Sequence, residues 1–319
     1  MPQVPVIDFA PFLGGTVDGK ARIATEIRDA CEGTGFFYLA GHAVAQSEIE
    51  AVFAASRRFF SLPLEERLKI KLTPKQNRGY QPLGSRMYPD QADAPDLNES
   101  FKYQHEFSPD DPDIRGGNRV HALNQWPENL PGWREVLTGY YDRMERLTGR
   151  LLRAFALALD LPEDYFAAFY TKPLTQINLL HYPPHPSVTP GRQFGLRPHS
   201  DTTAFTILCQ DDVGGLQVQR GDQWIEVPPI SGTFVINIGD MMARWTNDRF
   251  ASTPHRVINR SGLERFSVPF FAIPDFDAVV ACLPSCTGPG RPPKYPPLQV
   301  GEFMLGSNAR DWNKDGPVR

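Results

Sequence analysis

From Pro173 onward the sequence breaks into short runs rich in β-branched and aromatic residues, each closed by Gly, Pro, Asn or Asp. The runs span 175–182, 203–209, 215–219, 223–227, 233–238, 254–259, 265–273 and 278–283. Segments so short and so closely spaced leave no room for the crossover helices that a parallel sheet needs. Arg220-Gly221-Asp222, between two of them, is a tight-hairpin signal. Antiparallel strands of this kind bury a core by closing into a β-sandwich or jelly roll. Composition agrees, because 31 prolines and 26 glycines punctuate the whole chain of 319 residues and do not gather in one linker.

The first half reads differently. Val4–Phe9 and Phe36–Leu39 are strand-like, and helical spacing marks 20–33 and Ser47–Leu62, the latter with Ser47 as its cap. The strongest helix is 133–159, where Trp133, Val136, Tyr140, Met144, Leu147, Leu151, Phe155 and Ala158 form one apolar face. Such a face reads as core packed under a sheet. Residues 73–98 show no period and read as a long loop, a candidate lid. With no repeat and no linker, we expect one domain over 1–319, mainly β with supporting helices. Within it, 1–110 are an N-terminal cap with the lid loop, 111–172 carry the supporting helix, and 173–285 form the β core. Residues 286–319 are a closing segment, with Phe303, Met304, Leu305 and Trp312 on a helix at the pocket mouth.

Charge and hydropathy exclude several functions. A net charge of −4, with no basic stripe, argues against nucleic acid as a partner. No apolar stretch reaches the roughly 18–20 residues needed to span a bilayer, and the start lacks a secretory pattern. The expectation is a soluble, cytoplasmic protein acting on a small molecule, of unknown oligomeric state. Four cysteines, including Cys282-x3-Cys286 without a second pair, read as reduced thiols and not as a zinc site.

His199-Ser200-Asp201 stands at the edge of the β region, and His255 lies in a distant strand. Two imidazoles and a carboxylate are the set that holds Fe(II) on one face of an octahedron and leaves three positions open. Residues i and i+2 of an extended chain point the same way, so His199 and Asp201 can share a face. An H-x-D triplet is weak evidence by itself. Its neighbour Arg265-Phe266-Ser267 strengthens it: Arg and a hydroxyl two residues on share one strand face, make a fork for a carboxylate, and sit among aromatic residues. A guanidinium buried there needs an anionic partner, from the protein or from a ligand.

His199-Ser200-Asp201, the stretch 211–219 (DDVGGLQVQ), the stretch 247–257 (NDRFASTPHRV) and Arg265-Phe266-Ser267 together resemble the isopenicillin N synthase-like branch of the Fe(II)/2-oxoglutarate dioxygenases. Val4–Asp8, Gly35–Tyr38 with Gly41-His42, and Phe59–Pro63 extend the resemblance over nearly the whole chain. Leu179–Pro183, Asn77–Tyr80 and Ala243–Asp248 look more like microbial members, thymine hydroxylase among them. The resemblance implies a double-stranded β-helix, the cupin-like jelly roll, with iron on His199, Asp201 and His255. It implies that Arg265, Ser267 and Tyr182 hold the C5 carboxylate of 2-oxoglutarate. Leu180 stands where many plant members have an Asn, and Asn178 lies two residues further back.

By the same resemblance, Arg78, Tyr80, Phe101, Tyr103, Arg197, Thr202, Arg244 and Phe271 line the substrate pocket. His42 is structural, His181 faces away from the cosubstrate, and His105, His121 and His185 have no metal role. The implied activity uses Fe(II), 2-oxoglutarate and O2. Decarboxylation to succinate and CO2 is coupled to oxidation, normally hydroxylation, of a small organic substrate. Alternatives are an oxidase of the isopenicillin N synthase type, an ethylene-forming enzyme, or a non-catalytic jelly-roll metal-binding module.

Overall fold

A computed structural model of the chain describes residues 4–73, 76–85, 95–117, 120–184 and 194–312, with 307–312 as backbone only. The first half supplies β1 (Val6–Asp8), β2 (Phe36–Ala40), β3 (Gly79–Gln81) and β4 (Glu99–Gln104). After them come β5 (Gln176–Tyr182), β6 (Leu196–His199), β7 (Phe205–Gln210), β8 (Leu216–Arg220) and β9 (Gln223–Glu226). The series ends with β10 (Phe234–Ile238), β11 (His255–Val257), β12 (Arg265–Ala272), β13 (Val279–Val280) and β14 (Leu298–Gln299).

Eight strands form one sheet in the order β1-β2-β10-β7-β12-β5-β4-β3, and four form a second in the order β6-β11-β8-β9. The two sheets share an apolar layer to which Phe36, Tyr38, Leu180 and Val235 come from the large sheet and Leu216, Val218 and Val257 from the small one. That is the expected jelly roll. Because β1–β4 belong to the large sheet, the two halves of the chain complete a single layer. The Gly221-Asp222 turn joins β8 to β9 as the sequence predicts, with Arg220 opposite Gln223 and Gly221 at φ 57°.

Alternation sorts the large sheet's side chains. On β12, Phe266, Val268 and Phe270 join the core beneath the helices, together with Ile177 and Leu179 of β5 and Phe101 and Tyr103 of β4. The helix Trp133–Ala158 buries Tyr140, Met144, Leu147, Leu151 and Phe155 into that core, and Val136 sits at its margin. Each large side chain so buried stabilises the layer by about 1.5–3 kcal/mol. The opposite face of the large sheet looks toward the small one.

The structure corrects several details. The helix expected to start at Ser47 runs Gln46–Phe60 with Ala45 at its cap, where the Glu48 carboxylate accepts the Ala45 N–H at 2.9 Å. The stretch 73–98 is not loop throughout: Gly79–Gln81 is β3, antiparallel to β4, and Leu97 N–H donates to Phe194 O at 2.9 Å. Its central part lies outside the described residues. The run 278–283 shrinks to Val279–Val280, paired with β14 apart from both main sheets. The helix Val300–Trp312 begins against Phe276, leaving no room for a side chain at Gly301.

Gly35, at the entrance to β2, has φ +68°, and a Cβ there would stand 1.9 Å from Ala251 O. Gly35→Ala therefore combines backbone strain with a hard clash, and a loss of about 2 kcal/mol or more is expected in denaturant unfolding. A midpoint equal to wild type would show that this contact does not constrain the fold.

Candidate metal and carboxylate site

Strand pairing assembles the metal cluster. β6 and β11 are antiparallel with His199 directly opposite His255, and the two rings stand 4.3 Å apart. Asp201 follows in the turn after β6. Ligand atoms of His199, Asp201 and His255 all lie within 4.8 Å of one another, with Asp201 Oδ1 3.6 Å from His199 Nε2 and 3.9 Å from His255 Nε2. Backbone carbonyls orient both rings: His199 Nδ1 lies 2.8 Å from Arg197 O, and His255 Nδ1 lies 3.3 Å from Thr253 O. The Nδ1 atoms are then the donors, so both Nε2 lone pairs are left facing Asp201. Phe36 packs edge-on against His255 at 5.5 Å.

The carboxylate is divided between two tasks. Asp201 Oδ2 accepts from Thr206 Oγ1 at 2.5 Å and from Asn237 Nδ2 at 2.8 Å, which leaves Oδ1 toward the imidazoles. Burial pushes the Asp201 carboxyl up, but His255, His199 and these two hydrogen bonds outweigh it and hold the group below its ordinary value. Asp240 ties the two metal-bearing segments together. Its Oδ1 accepts from Ser252 Oγ at 2.6 Å, its Oδ2 from Ser200 Oγ at 3.2 Å, and its N–H donates to Asp201 O at 2.8 Å.

Sequence reasoning missed Thr206, Asn237 and Asp240. The one available signal was Asn237, a polar residue inside the apolar strand Phe234–Ile238.

Arg265 is fully buried. Its Nε donates to Gly214 O at 2.6 Å, Nη1 to Ser267 Oγ at 3.2 Å and Nη2 to Gln210 Oε1 at 3.5 Å. Tyr182 is opposite Arg265 in register, its ring 4.7 Å from the guanidinium carbon. Every one of these partners is neutral. Asp211, whose charge is near Arg265, instead accepts the N–H groups of Phe266 and Val213. Among the described residues no carboxylate forms an ion pair with Arg265, so this buried cation fits an anionic ligand. Leu180 is the residue opposite Ser267, so an apolar side chain occupies that place.

The expected pocket lining needs correction. Tyr80, Phe101 and Tyr103 point to the helical side, because they share the alternation of Leu179 and not that of Leu180. Phe101 packs edge-on against Trp133 at 4.9 Å, and the Tyr103 hydroxyl donates to Leu137 O at 3.1 Å. The Tyr80 hydroxyl donates to Glu99, which also pairs with Arg67 and His181. Arg78 is buried and donates to Gln104 and to Val120 O. Arg197 is paired with Asp96 at 3.3 Å. Arg244 donates to Pro296 O at 3.1 Å and lies over Tyr295, on the C-terminal segment.

Thr202 is half-buried beside Asp201, and Phe271 pairs in register with Thr206. His181 stacks on Phe266, facing away from Arg265. His42 packs on Phe234, His105 on Phe107 and His121 against Asp113, none of them in the cluster. His185 lies outside the described residues.

Removing the groups that hold Asp201 Oδ2 leaves that oxygen to compete for the ion or to turn away. Thr206→Val and Asn237→Leu are each expected to weaken metal affinity about 10–100-fold in a calorimetric titration with Mn(II). Unchanged affinity in both would mean that Asp201 is positioned without them.

Comparison with known proteins agrees with this geometry. Residues 4–129 match the family described as non-haem dioxygenase in morphine synthesis, N-terminal, and 166–274 match the 2OG-Fe(II) oxygenase superfamily. The chain is 38% identical over 317 residues to the 2-oxoglutarate-Fe(II) type oxidoreductase hxnY of Emericella nidulans, covering 97% of this chain and 90% of that protein. A full-length Neurospora crassa protein, solved in complex with alpha-KG, is 31% identical, superposes with a TM-score of 0.87 and is covered to 96%, as is this chain. JOX2, solved with 2OG, Fe and JA, is 31% identical with a TM-score of 0.79, over 95% of this chain and 84% of that one. By its sequence, its fold and its His-Asp-His cluster beside a buried arginine, this chain belongs to the 2OG-Fe(II) oxygenase superfamily.

Proposed function

We propose that His199, Asp201 and His255 hold Fe(II), that Arg265, Ser267 and Tyr182 hold the distal carboxylate of 2-oxoglutarate, and that the enzyme hydroxylates a small organic molecule in the space between the sheets. The observation that carries this reading is Arg265. It is a fully buried guanidinium whose hydrogen-bond partners among the described residues are all neutral, on the strand face that looks toward the metal cluster. A structural zinc site takes four protein ligands and has no use for such a fork.

Bound iron supplies the O2 chemistry that couples loss of CO2 from 2-oxoglutarate to oxidation of a substrate C–H bond. The chain's own residues bind, orient and exclude water. Arg265 and Ser267 fix the cosubstrate at one end. Thr206 and Asn237 keep Asp201 Oδ1 turned to the metal position, and the layer of Phe36, Val218 and Val257 keeps the surroundings dry. We further propose that 1–319 act as one domain, since both halves give strands to one sheet. Thr202 remains a proposed pocket residue beside the metal. Among the described residues no helix is long and apolar enough to cross a membrane. The proposed cytoplasmic placement is supported by four unpaired cysteines.

Truncating one partner of a buried charge-assisted pair costs about 2–5 kcal/mol, so Arg265→Ala should raise the 2-oxoglutarate requirement roughly 30-fold to a few thousand-fold. Arg265→Lys should recover part of this loss, because a point charge cannot form the fork. Ser267→Ala should cost about 1–3 kcal/mol. Binding of 2-oxoglutarate to the Mn(II)-loaded protein reads all three. If O2 uptake with substrate needs no 2-oxo acid, and Arg265→Ala leaves 2-oxoglutarate binding intact, the oxidase reading replaces this one.

A further inference from the structure

The inner face of β4 and β5 carries polar side chains beside the apolar inter-sheet layer. Strand alternation puts Ser100, Lys102 and Gln104 of β4 on that face, opposite Leu180, Asn178 and Gln176 of β5. Most of these groups are satisfied within the protein. Gln104 Oε1 accepts from Arg78, and its Nε2 donates to Leu174 O at 3.2 Å. Ser100 donates to Gln81 at 3.3 Å. Asn178 differs. Its side chain is buried, 5% exposed, and its Oδ1 has no hydrogen-bond partner among the described residues. A buried carbonyl oxygen without a donor is unfavourable, and such atoms in native proteins have a reason to be there.

Register puts Asn178 on the sheet face that supports the metal cluster, with β12 between its strand and the strand of Thr206. Phe271 of β12 pairs with Gln176 on one side and with Thr206 on the other, and Thr206 bonds the metal-site carboxylate. Asn178 lies two residues along β5 from Gln176, on the same face. Its register partner Lys102 brings an ammonium to that face, with Nζ 3.0 Å from Asn77 Oδ1. Phe271, half-buried, belongs to β12, the strand that lies between β5 and β7 in the sheet.

We propose that Asn178 and Lys102 read the molecule that is oxidised, and that its class is a small planar ring bearing an N–H or O–H donor next to a carboxylate. The donor satisfies Asn178 Oδ1, the carboxylate faces the Lys102 ammonium, and the ring lies against Phe271. Arg265 is then left to 2-oxoglutarate. The two acids are separated because their cations sit on different strands, β12 and β4. This assignment rests on the proposed function, in which 2-oxoglutarate occupies the Arg265 fork.

Two isosteric acids separate the parts of the proposal. Pyrrole-2-carboxylate carries a ring N–H beside its carboxylate, and furan-2-carboxylate has an ether oxygen in that place. Each is titrated calorimetrically into protein loaded with Mn(II) and saturating 2-oxoglutarate, without oxygen. Pyrrole-2-carboxylate is expected to bind about tenfold more tightly than its furan analogue. Asn178→Leu should abolish the preference. Asn178→Asp, which keeps an acceptor in place, should retain the preference while weakening both acids. Lys102→Met should weaken both and leave their ratio unchanged.

Four results overturn the proposal: equal binding of the two acids, no binding of either, a preference that survives Asn178→Leu, or displacement of the acids by more 2-oxoglutarate. Failure of Mn(II) or 2-oxoglutarate to bind the wild-type protein would instead bring down the proposed function itself.

Discussion

The site depends on how one carboxylate is held. Asp201 can face both imidazoles only because its other oxygen is claimed by Thr206 on β7 and Asn237 on β10. These are neighbouring strands of the large sheet, whereas His199 and His255 belong to the small one. The metal cluster is therefore a junction between the sheets: two of its side chains come from one layer, and the orientation of the third is fixed by the other. Asp240 reinforces the junction by holding Ser200 and Ser252, each close in sequence to one histidine. Anything that shifts the sheets relative to one another changes the ligand geometry, which links packing directly to metal binding.

Strand alternation organises what surrounds the cluster. A single-residue step along β4, β5 or β12 moves a side chain from the dry helical side to the space between the sheets. Arg265 and Ser267 look inward while Phe266 and Val268 look outward, so charge and packing coexist on one short strand. The same alternation turns Tyr80, Phe101 and Tyr103 to the helical side and Lys102 and Asn178 to the side that faces the small sheet. It also gives His181 its stacking on Phe266 and its bond to Glu99, on the opposite face of the sheet from the buried arginine.

The chemistry of the site was largely legible in the sequence because its groups lie close together along the chain or carry distinctive types. His199 and Asp201 are two residues apart, Arg265 and Ser267 likewise, and each pair shares a strand face or an adjoining turn whatever the rest of the fold does. Strands with apolar runs were legible for the same reason. β4 was not, because its sequence Glu99–Gln104 alternates within a half that otherwise reads as helix and loop. β6 was not, because Pro198 interrupts it, and the structure leaves Pro198 exposed. The substrate lining failed for a different reason. Family position names a segment, and only registration against neighbouring strands says which of two adjacent residues faces the ligand.

The jelly roll, the helical support layer, the three candidate metal ligands and the arginine–serine fork are all written along the chain. Local periodicity and short spacings encode these features, and both survive without knowledge of the fold. Three others arise only from three-dimensional packing: which oxygen of Asp201 faces the metal, and, among the described residues, that Arg265 has no carboxylate partner and that Asn178 is buried with an unused acceptor. Those properties depend on contacts between residues tens of positions apart, such as Asn237 with Asp201 and Asn178 with Lys102. Such contacts exist only once the strands are in register and the chain is closed, and no pattern along the sequence encodes them.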